Sequence, residues 1–185
     1  MSVPRSEARR VVFAIMIAVL VCGPAPLRAQ GAQPITQSLR TNWDGAKKNI
    51  VQSADLMSEA NYAFKPVDAV RTFGQILGHV AGANYEFCAA AKGEKSPHDE
   101  GAFEKLPTKA AIVKALAESV AYCDSAFAAV DDRKLADTIE LPFGMGKAAR
   151  SSPLIMNIGH VNEHYGNLVT YFRIKGIVPP SSRGQ

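Results

Sequence analysis

The most regular hydrophobic pattern in the sequence lies between Ser151 and Gly176. Six apolar side chains recur there at alternating steps of four and three, which predicts one long amphipathic helix: Leu154, Ile158, Val161, Tyr165, Leu168 and Phe172. Ser151 or Ser152 can cap its first turn, and Gly176 can adopt the left-handed conformation that ends a helix. A second stripe with the same spacing is polar, which core packing alone does not explain: Asn157, His160, His164, Asn167 and Tyr171.

Three further segments show helical periodicity. The first helix is expected over residues 36–57, where six side chains share one face: Leu39, Trp43, Ala46, Ile50, Ala54 and Met57. The second helix is expected to begin with Asp68 as its cap and to end near Gly93. The third is expected to run from its cap, Thr108, to about Val130.

The connections between these helices differ in character. Residues 94–107 are polar with a turn-like S-P-H-D-E-G run, which predicts a crossover loop. Residues 131–150 contain Pro and two glycines and are too broken for a helix, although an extended piece fits 138–141. Four helices with almost no strand signal predict an all-α four-helix bundle. The long crossover between helices 2 and 3 would allow those two to run parallel.

The first 29 residues predict a cleaved secretory signal peptide. A basic start containing Arg5, Arg9 and Arg10 precedes an apolar run over residues 11–21, and Ala29 offers a small residue for cleavage. The run is shorter than the roughly 20 residues that a membrane-spanning helix needs. We therefore expect residues 30–185 to form one exported domain, periplasmic or secreted, with no membrane attachment after cleavage.

The charge pattern gives no support for nucleic-acid binding. The full sequence carries a formal net charge of +4, but four arginines and one glutamate lie in the predicted signal, which leaves +1 for the rest. A nucleic-acid surface needs clustered Lys and Arg. A small-molecule substrate is therefore the expected partner, and a homodimer is compatible with a bundle of this size.

Two cysteines follow the predicted signal, Cys88 and Cys123. An oxidising compartment favours a disulfide between them. The position of Cys123 in an apolar helical stripe equally fits a small buried hydrophobic residue. Spacing alone leaves both readings open, because pairing depends on geometry.

Histidine is the residue type with the most specific candidate chemistry. His160 and His164 are four apart on one helix face, so both imidazoles can reach a single ion. His79 lies between the apolar positions Ile76 and Ala83 of the second helix, at the edge of the core. The three together indicate a metal site between two helices of a bundle. Three imidazoles leave a coordination position open, and they suit zinc, nickel, copper or iron.

The sequence around these histidines resembles that of the DinB-like (DinB/YfiT) superfamily of metal-dependent bundle proteins. The resemblance is carried by His79 in I-L-G-H-V-A and by His160 and His164 in N-I-G-H-V-N-E-H-Y-G-N, followed by an R-I-K-G ending. It covers the chain from the first helix to Gly176, and it implies an up-down-down-up bundle with a divalent ion, zinc or nickel, on the three histidines. Members often carry Gln where this chain has Asn167.

The resemblance implies a metal-dependent hydrolase or a thiol S-transferase, because some members transfer low-molecular-weight thiols to electrophiles. A bound metal can stabilise a thiolate or generate hydroxide from water. Two alternatives stay open. One is a non-catalytic binding or interaction module on the same bundle, and the other is a structural bundle whose histidines are incidental.

Candidate acid–base groups are weak, and the sequence predicts no catalytic residue. Glu86 lies two turns from the histidine of the second helix and fits a solvated charge. Glu163 adjoins the histidine pair, at an angle that points toward solvent about as readily as inward. Asn157 and Tyr171 flank the pair and are candidates for orienting ligands or water. His98 lies in the polar crossover loop and is expected to be solvated.

Overall fold

The structure, a computed structural model, describes residues 32–183. It contains four long helices: α1 (Pro34–Leu56), α2 (Phe73–Lys92), α3 (Lys109–Ala128) and α4 (Ser151–Ile174). The predicted all-α four-helix bundle is confirmed. The predicted signal peptide, residues 1–29, lies outside the described residues. Among the described residues, none of the helices combines the length and the apolar character that crossing a membrane requires.

Contacts between helices establish their directions. Helices α2 and α3 run parallel, because Asn84 bonds to Ser119 and, one turn further along both helices, Cys88 bonds to Cys123. Helices α2 and α4 run antiparallel, because Phe73 at the start of α2 packs on Phe172 at the end of α4. Helices α1 and α3 are also antiparallel, with contacts from Arg40 to Phe127 and from Lys109 to Asp55. The order is therefore up-down-down-up.

The core is built from the apolar stripes that the periodicity predicts. On α4 the six apolar positions are buried, apart from the partly buried Ile158. On α1, Trp43 is buried, stacks on Phe127 at 5.0 Å between ring centroids and donates its indole N–H to Asp124. This contact gives the polar end of the indole a partner at the edge of the core.

Cys88 and Cys123 form a disulfide that joins α2 to α3. Their pairing, which spacing left open, follows from the parallel packing that places both cysteines at the same level. Asn157 of α4 lies beside them, with its amide nitrogen 3.5 Å from the sulfur of Cys123 and 3.7 Å from that of Cys88.

Two predicted helix caps are wrong. Helix α2 begins at Phe73, and Thr72 caps it in a reciprocal arrangement with Gln75, while Asp68 pairs instead with Lys65. The capping pair lies in T-F-G-Q, directly before the apolar run. Helix α4 begins at Ser151 itself, without a side-chain cap. Gly176 does adopt the predicted left-handed conformation, with φ +70°.

The region between α3 and α4 contains a small antiparallel hairpin. Strand β1 (Thr138–Glu140) pairs with strand β2 (Lys147–Ala149), with Thr138 opposite Ala149. The extended piece predicted near 138–141 is therefore present, but its partner strand was missed. Two three-residue strands joined by a loop over residues 141–146 leave only a weak pattern in sequence.

The connection from α2 to α3 lies directly on the backbone of α2. It contains a 3-10 turn, Glu100–Phe103. A methyl group at Gly82 would overlap the carbonyl oxygen of Glu100, and one at Gly78 would overlap that of Phe103. The crossover can therefore lie this close only because both helix positions lack a side chain.

Candidate metal centre

The structure brings together the three histidines that the sequence singles out. His79 projects from α2, and His160 and His164 project from the adjacent, antiparallel α4. The Nε2 atom of His160 lies 3.1 Å from Nε2 of His79 and 3.1 Å from Nε2 of His164. The candidate ligand atoms of all three lie within 4.8 Å of one another.

This arrangement fits a divalent ion. Zinc binds imidazole nitrogen at about 2.0–2.1 Å in tetrahedral geometry, which places neighbouring ligand nitrogens roughly 3.3 Å apart. Two of the three separations, both 3.1 Å, are close to that value, and all three ligand atoms lie within 4.8 Å of one another. Three protein ligands also leave at least one coordination position free, as in catalytic rather than structural zinc sites.

The electrostatics of the cluster favour the neutral form of histidine that binds metals. Burial, together with the nearby His164 and His79, lowers the pKa of His160 to about 3. Burial likewise lowers the pKa of His164 to about 4, again with a contribution from His79. At neutral pH these two rings are therefore uncharged, which is the state required of a metal ligand.

The outer nitrogens of the three rings have different surroundings. Nδ1 of His79 lies 3.1 Å from a carboxylate oxygen of Glu104 and 3.7 Å from one of Glu100. Nδ1 of His164 lies 3.4 Å from the amide nitrogen of Asn167. Nδ1 of His160 is buried and has no hydrogen-bond partner among residues 32–183.

Glu104, which sequence reasoning missed, is held by a second residue. The guanidinium of Arg71 donates from Nε at 3.0 Å to one carboxylate oxygen and from Nη2 at 3.2 Å to the other. The backbone carbonyl of Arg71 in turn accepts a hydrogen bond of 2.6 Å from the hydroxyl of Tyr171. Glu104 lies in an aperiodic loop, and the only sequence signal was the pair of glycines around His79.

The other candidates from the sequence occupy different places. The amide of Asn157 lies against the disulfide, and among residues 32–183 no hydrogen bond joins it to any of the three rings, so it does not orient them as predicted. Tyr171 donates to the backbone carbonyl of Arg71, whose guanidinium holds Glu104. Glu86 lies against Ser96, and burial raises its pKa. His98 is exposed, although its ring packs on Tyr85.

An open cavity of about 860 Å³ adjoins His164. It lies between the segment before α2 and the last turns of α4, and its walls carry both charge signs as well as amide groups. Glu163, an exposed residue, is among those that line it. The principal polar residues of the wall are Lys65, Arg71, Gln75, Glu163, Asn167 and Tyr171.

An aromatic pair lies beside His160. The ring of Phe87 lies 5.8 Å from that of His160 and 5.7 Å from that of Phe143, at the tip of the β1–β2 hairpin. Phe143 is 52% exposed and, at φ +58°, is the one described non-glycine residue with a left-handed backbone. The cluster therefore adjoins a polar cavity at His164 and an aromatic pair at His160.

Comparison with known proteins agrees with this architecture. The sequence model of the DinB superfamily matches residues 42–168. A DinB-like protein from Bacillus cereus is 16% identical with a TM-score of 0.66, and the match covers 78% of this chain and 95% of that one. YfiT from Bacillus subtilis, a probable metal-dependent hydrolase with an unusual four-helix bundle topology, is 14% identical with a TM-score of 0.61, over 84% and 96%.

A mycothiol-dependent maleylpyruvate isomerase has a TM-score of 0.60 and 18% identity. That match covers 72% of this chain but only 60% of the isomerase. A search of curated protein sequences finds no match to this chain. At these identities the solved structures show a shared fold.

Proposed function

This chain belongs to the DinB superfamily, and we propose that His79, His160 and His164 hold a divalent metal ion, zinc or nickel, at a reactive centre. The observation that carries the proposal is the convergence of three imidazoles, with Nε2 of His160 lying 3.1 Å from Nε2 of His79 and 3.1 Å from Nε2 of His164. The low pKa values of His160 and His164 support it, because neutral rings keep their lone pairs available. These donors suit a borderline ion better than Mg²⁺ or Ca²⁺.

The proposed activity is that of a metal-dependent hydrolase or a thiol S-transferase acting on a small polar molecule. A divalent ion bound here would supply a Lewis acid for polarising a substrate oxygen or stabilising a thiolate. The likeness to YfiT supports the hydrolase and the likeness to the mycothiol-dependent isomerase supports the transferase. The cavity beside His164 gives a substrate access, and Arg71 and Glu163 offer opposite charges for orienting it.

Cobalt substitution tests whether the site is open. Co²⁺ bound by three imidazoles should give a visible absorption spectrum that changes when azide is added, because azide can occupy the free position. A cobalt spectrum that azide does not alter would favour the alternative, a non-catalytic binding module whose coordination is closed by protein. The absence of any cobalt spectrum would contradict the proposed metal site.

We further propose that the chain is exported, with residues 1–29 removed. The disulfide between Cys88 and Cys123 supports this, because disulfides persist mainly in oxidising compartments. Expression of the full chain in a Gram-negative host should yield a periplasmic protein whose first residue is Gln30, as determined by N-terminal sequencing. An intact N-terminus in the cytoplasmic fraction would contradict export.

A further inference from the structure

We propose that Glu104 is the positioning residue for His79. Its carboxylate holds the imidazole with Nε2 directed at the other two histidines and thereby sets the affinity of the site for a divalent ion. This inference rests on the proposed metal-binding function. It assigns a role to the crossover between α2 and α3, which contributes no ligand of its own.

The contacts of Glu104 determine which nitrogen of the His79 ring carries the proton. An ionised carboxylate only accepts hydrogen bonds, and both oxygens of Glu104 already accept from Arg71. The 3.1 Å contact therefore requires that Nδ1 of His79 donates to Glu104. The lone pair then lies on Nε2, the atom that faces Nε2 of His160. Metal-ligating histidines commonly use a carboxylate in this way.

Arg71 holds the carboxylate of Glu104 in place. Two guanidinium contacts from Arg71 fix the plane of the Glu104 carboxylate, and a paired arrangement of this kind is more directional than a single contact. Arg71 directly precedes Thr72, the cap of α2, and Tyr171 of α4 donates to its carbonyl. Glu104 is therefore fixed relative to both helices that carry the histidines.

Two glycines of α2 allow the crossover to reach the site. Gly78 and Gly82 lie one position before and three positions after His79, and the crossover backbone occupies the space that their side chains would fill. This close approach places the end of the 3-10 turn, and Glu104 directly after it, beside the ring of His79. The two glycines therefore allow the carboxylate of Glu104 to reach the ring of His79.

Glu100 provides a matched control within the same segment. Its carboxylate lies 3.7 Å from Nδ1 of His79, beyond the range of a hydrogen bond, and its side chain is 39% exposed compared with 22% for Glu104. Replacing either residue by Gln removes one negative charge near the ring. Only the replacement at Glu104 alters the hydrogen bond, so the pair separates positioning from general electrostatics.

The test is a zinc competition titration with a chromophoric chelator on the purified native protein and three variants. Glu104→Ala should weaken zinc binding by about 10–100-fold, the usual effect of losing such a partner. Glu104→Gln should lose less, because its amide oxygen can still accept from Nδ1. Glu100→Gln should bind zinc as the native protein does. Equal zinc affinity in the native protein and Glu104→Ala would overturn the inference alone.

If the native protein binds no zinc, the proposed function fails and the inference fails with it. A second readout does not depend on any variant folding. Nitrogen-15 NMR of the zinc-loaded native protein should show His79 with a proton on Nδ1 and the metal on Nε2. The reverse assignment, with zinc on Nδ1, would overturn the role of Glu104 even if the titrations followed the expected order.

Discussion

At the scale of single residues, the neutral state of the clustered histidines has a consequence for stability. Histidine in an unfolded chain titrates near about 6.5, whereas the pKa values of His160 and His164 in the fold are about 3 and 4. Between these values the unfolded chain binds more protons than the folded protein. The metal-free protein should therefore lose stability as the pH falls from about 7 toward 4.

This prediction is checked by urea unfolding of the metal-free protein over that pH range. A variant with His160→Asn and His164→Asn should show a shallower loss of the free energy of unfolding on acidification. His98→Asn, at an exposed histidine outside the cluster, serves as the control. Equal slopes for the double variant and the native protein would contradict the assigned cause.

The residues of the cluster were predictable because helical spacing places His160 and His164 on one face, and the core edge places His79 beside them. Glu104 was not, since it lies 25 residues beyond His79 in a loop without periodicity. Asn157, in contrast, was predicted to orient the ligands and does not. It shares the polar stripe with the histidines but lies at the level of the disulfide, which spacing along one helix could not reveal.

At the scale of elements, two glycines in helices provide opposite predictions. Gly82→Ala should destabilise the protein by about 1–3 kcal/mol, because the added methyl group displaces the crossover backbone. Gly45→Ala, on the exposed face of α1 with nothing within 4 Å of the added methyl group, should instead stabilise it by about 0.5–1 kcal/mol. Thermal unfolding of the two variants measures both effects. Stabilisation by both substitutions would show that the crossover does not lie on α2 as described.

The helices themselves were predictable in number and approximate extent, because each carries an apolar stripe of the right period. The residues that cap the helix starts were less predictable. The true cap of α2 is Thr72 with Gln75, a local signal that the nearby Asp68 obscured. The β1–β2 hairpin was half predicted, because its second strand, K-A-A, has no distinguishing composition.

At the scale of the whole molecule, the disulfide joins the two parallel helices α2 and α3, which the crossover connects in sequence. It closes a loop with a sequence separation of 35 residues. Reduction should lower the free energy of unfolding by about 2–4 kcal/mol. Guanidinium unfolding with and without dithiothreitol measures the change, and a Cys88→Ser/Cys123→Ser variant should match the reduced native protein. Identical curves would show that the bridge does not constrain the unfolded chain.

The topology of the bundle was predictable in outline, since the long crossover permits parallel α2 and α3. The antiparallel pairing of α2 with α4 brings the three histidines, which are distant in sequence, to one point. This placement leads to the central claim, which is that the three rings bind one divalent ion.

The most direct measurement is the metal content of the purified protein by inductively coupled plasma mass spectrometry, beside a His160→Ala/His164→Ala variant. If the three histidines bind one ion, the native chain should contain close to one zinc or nickel and the variant none, with both proteins retaining helical circular dichroism. A folded native protein without metal, or a variant that keeps the same amount, would contradict the claim.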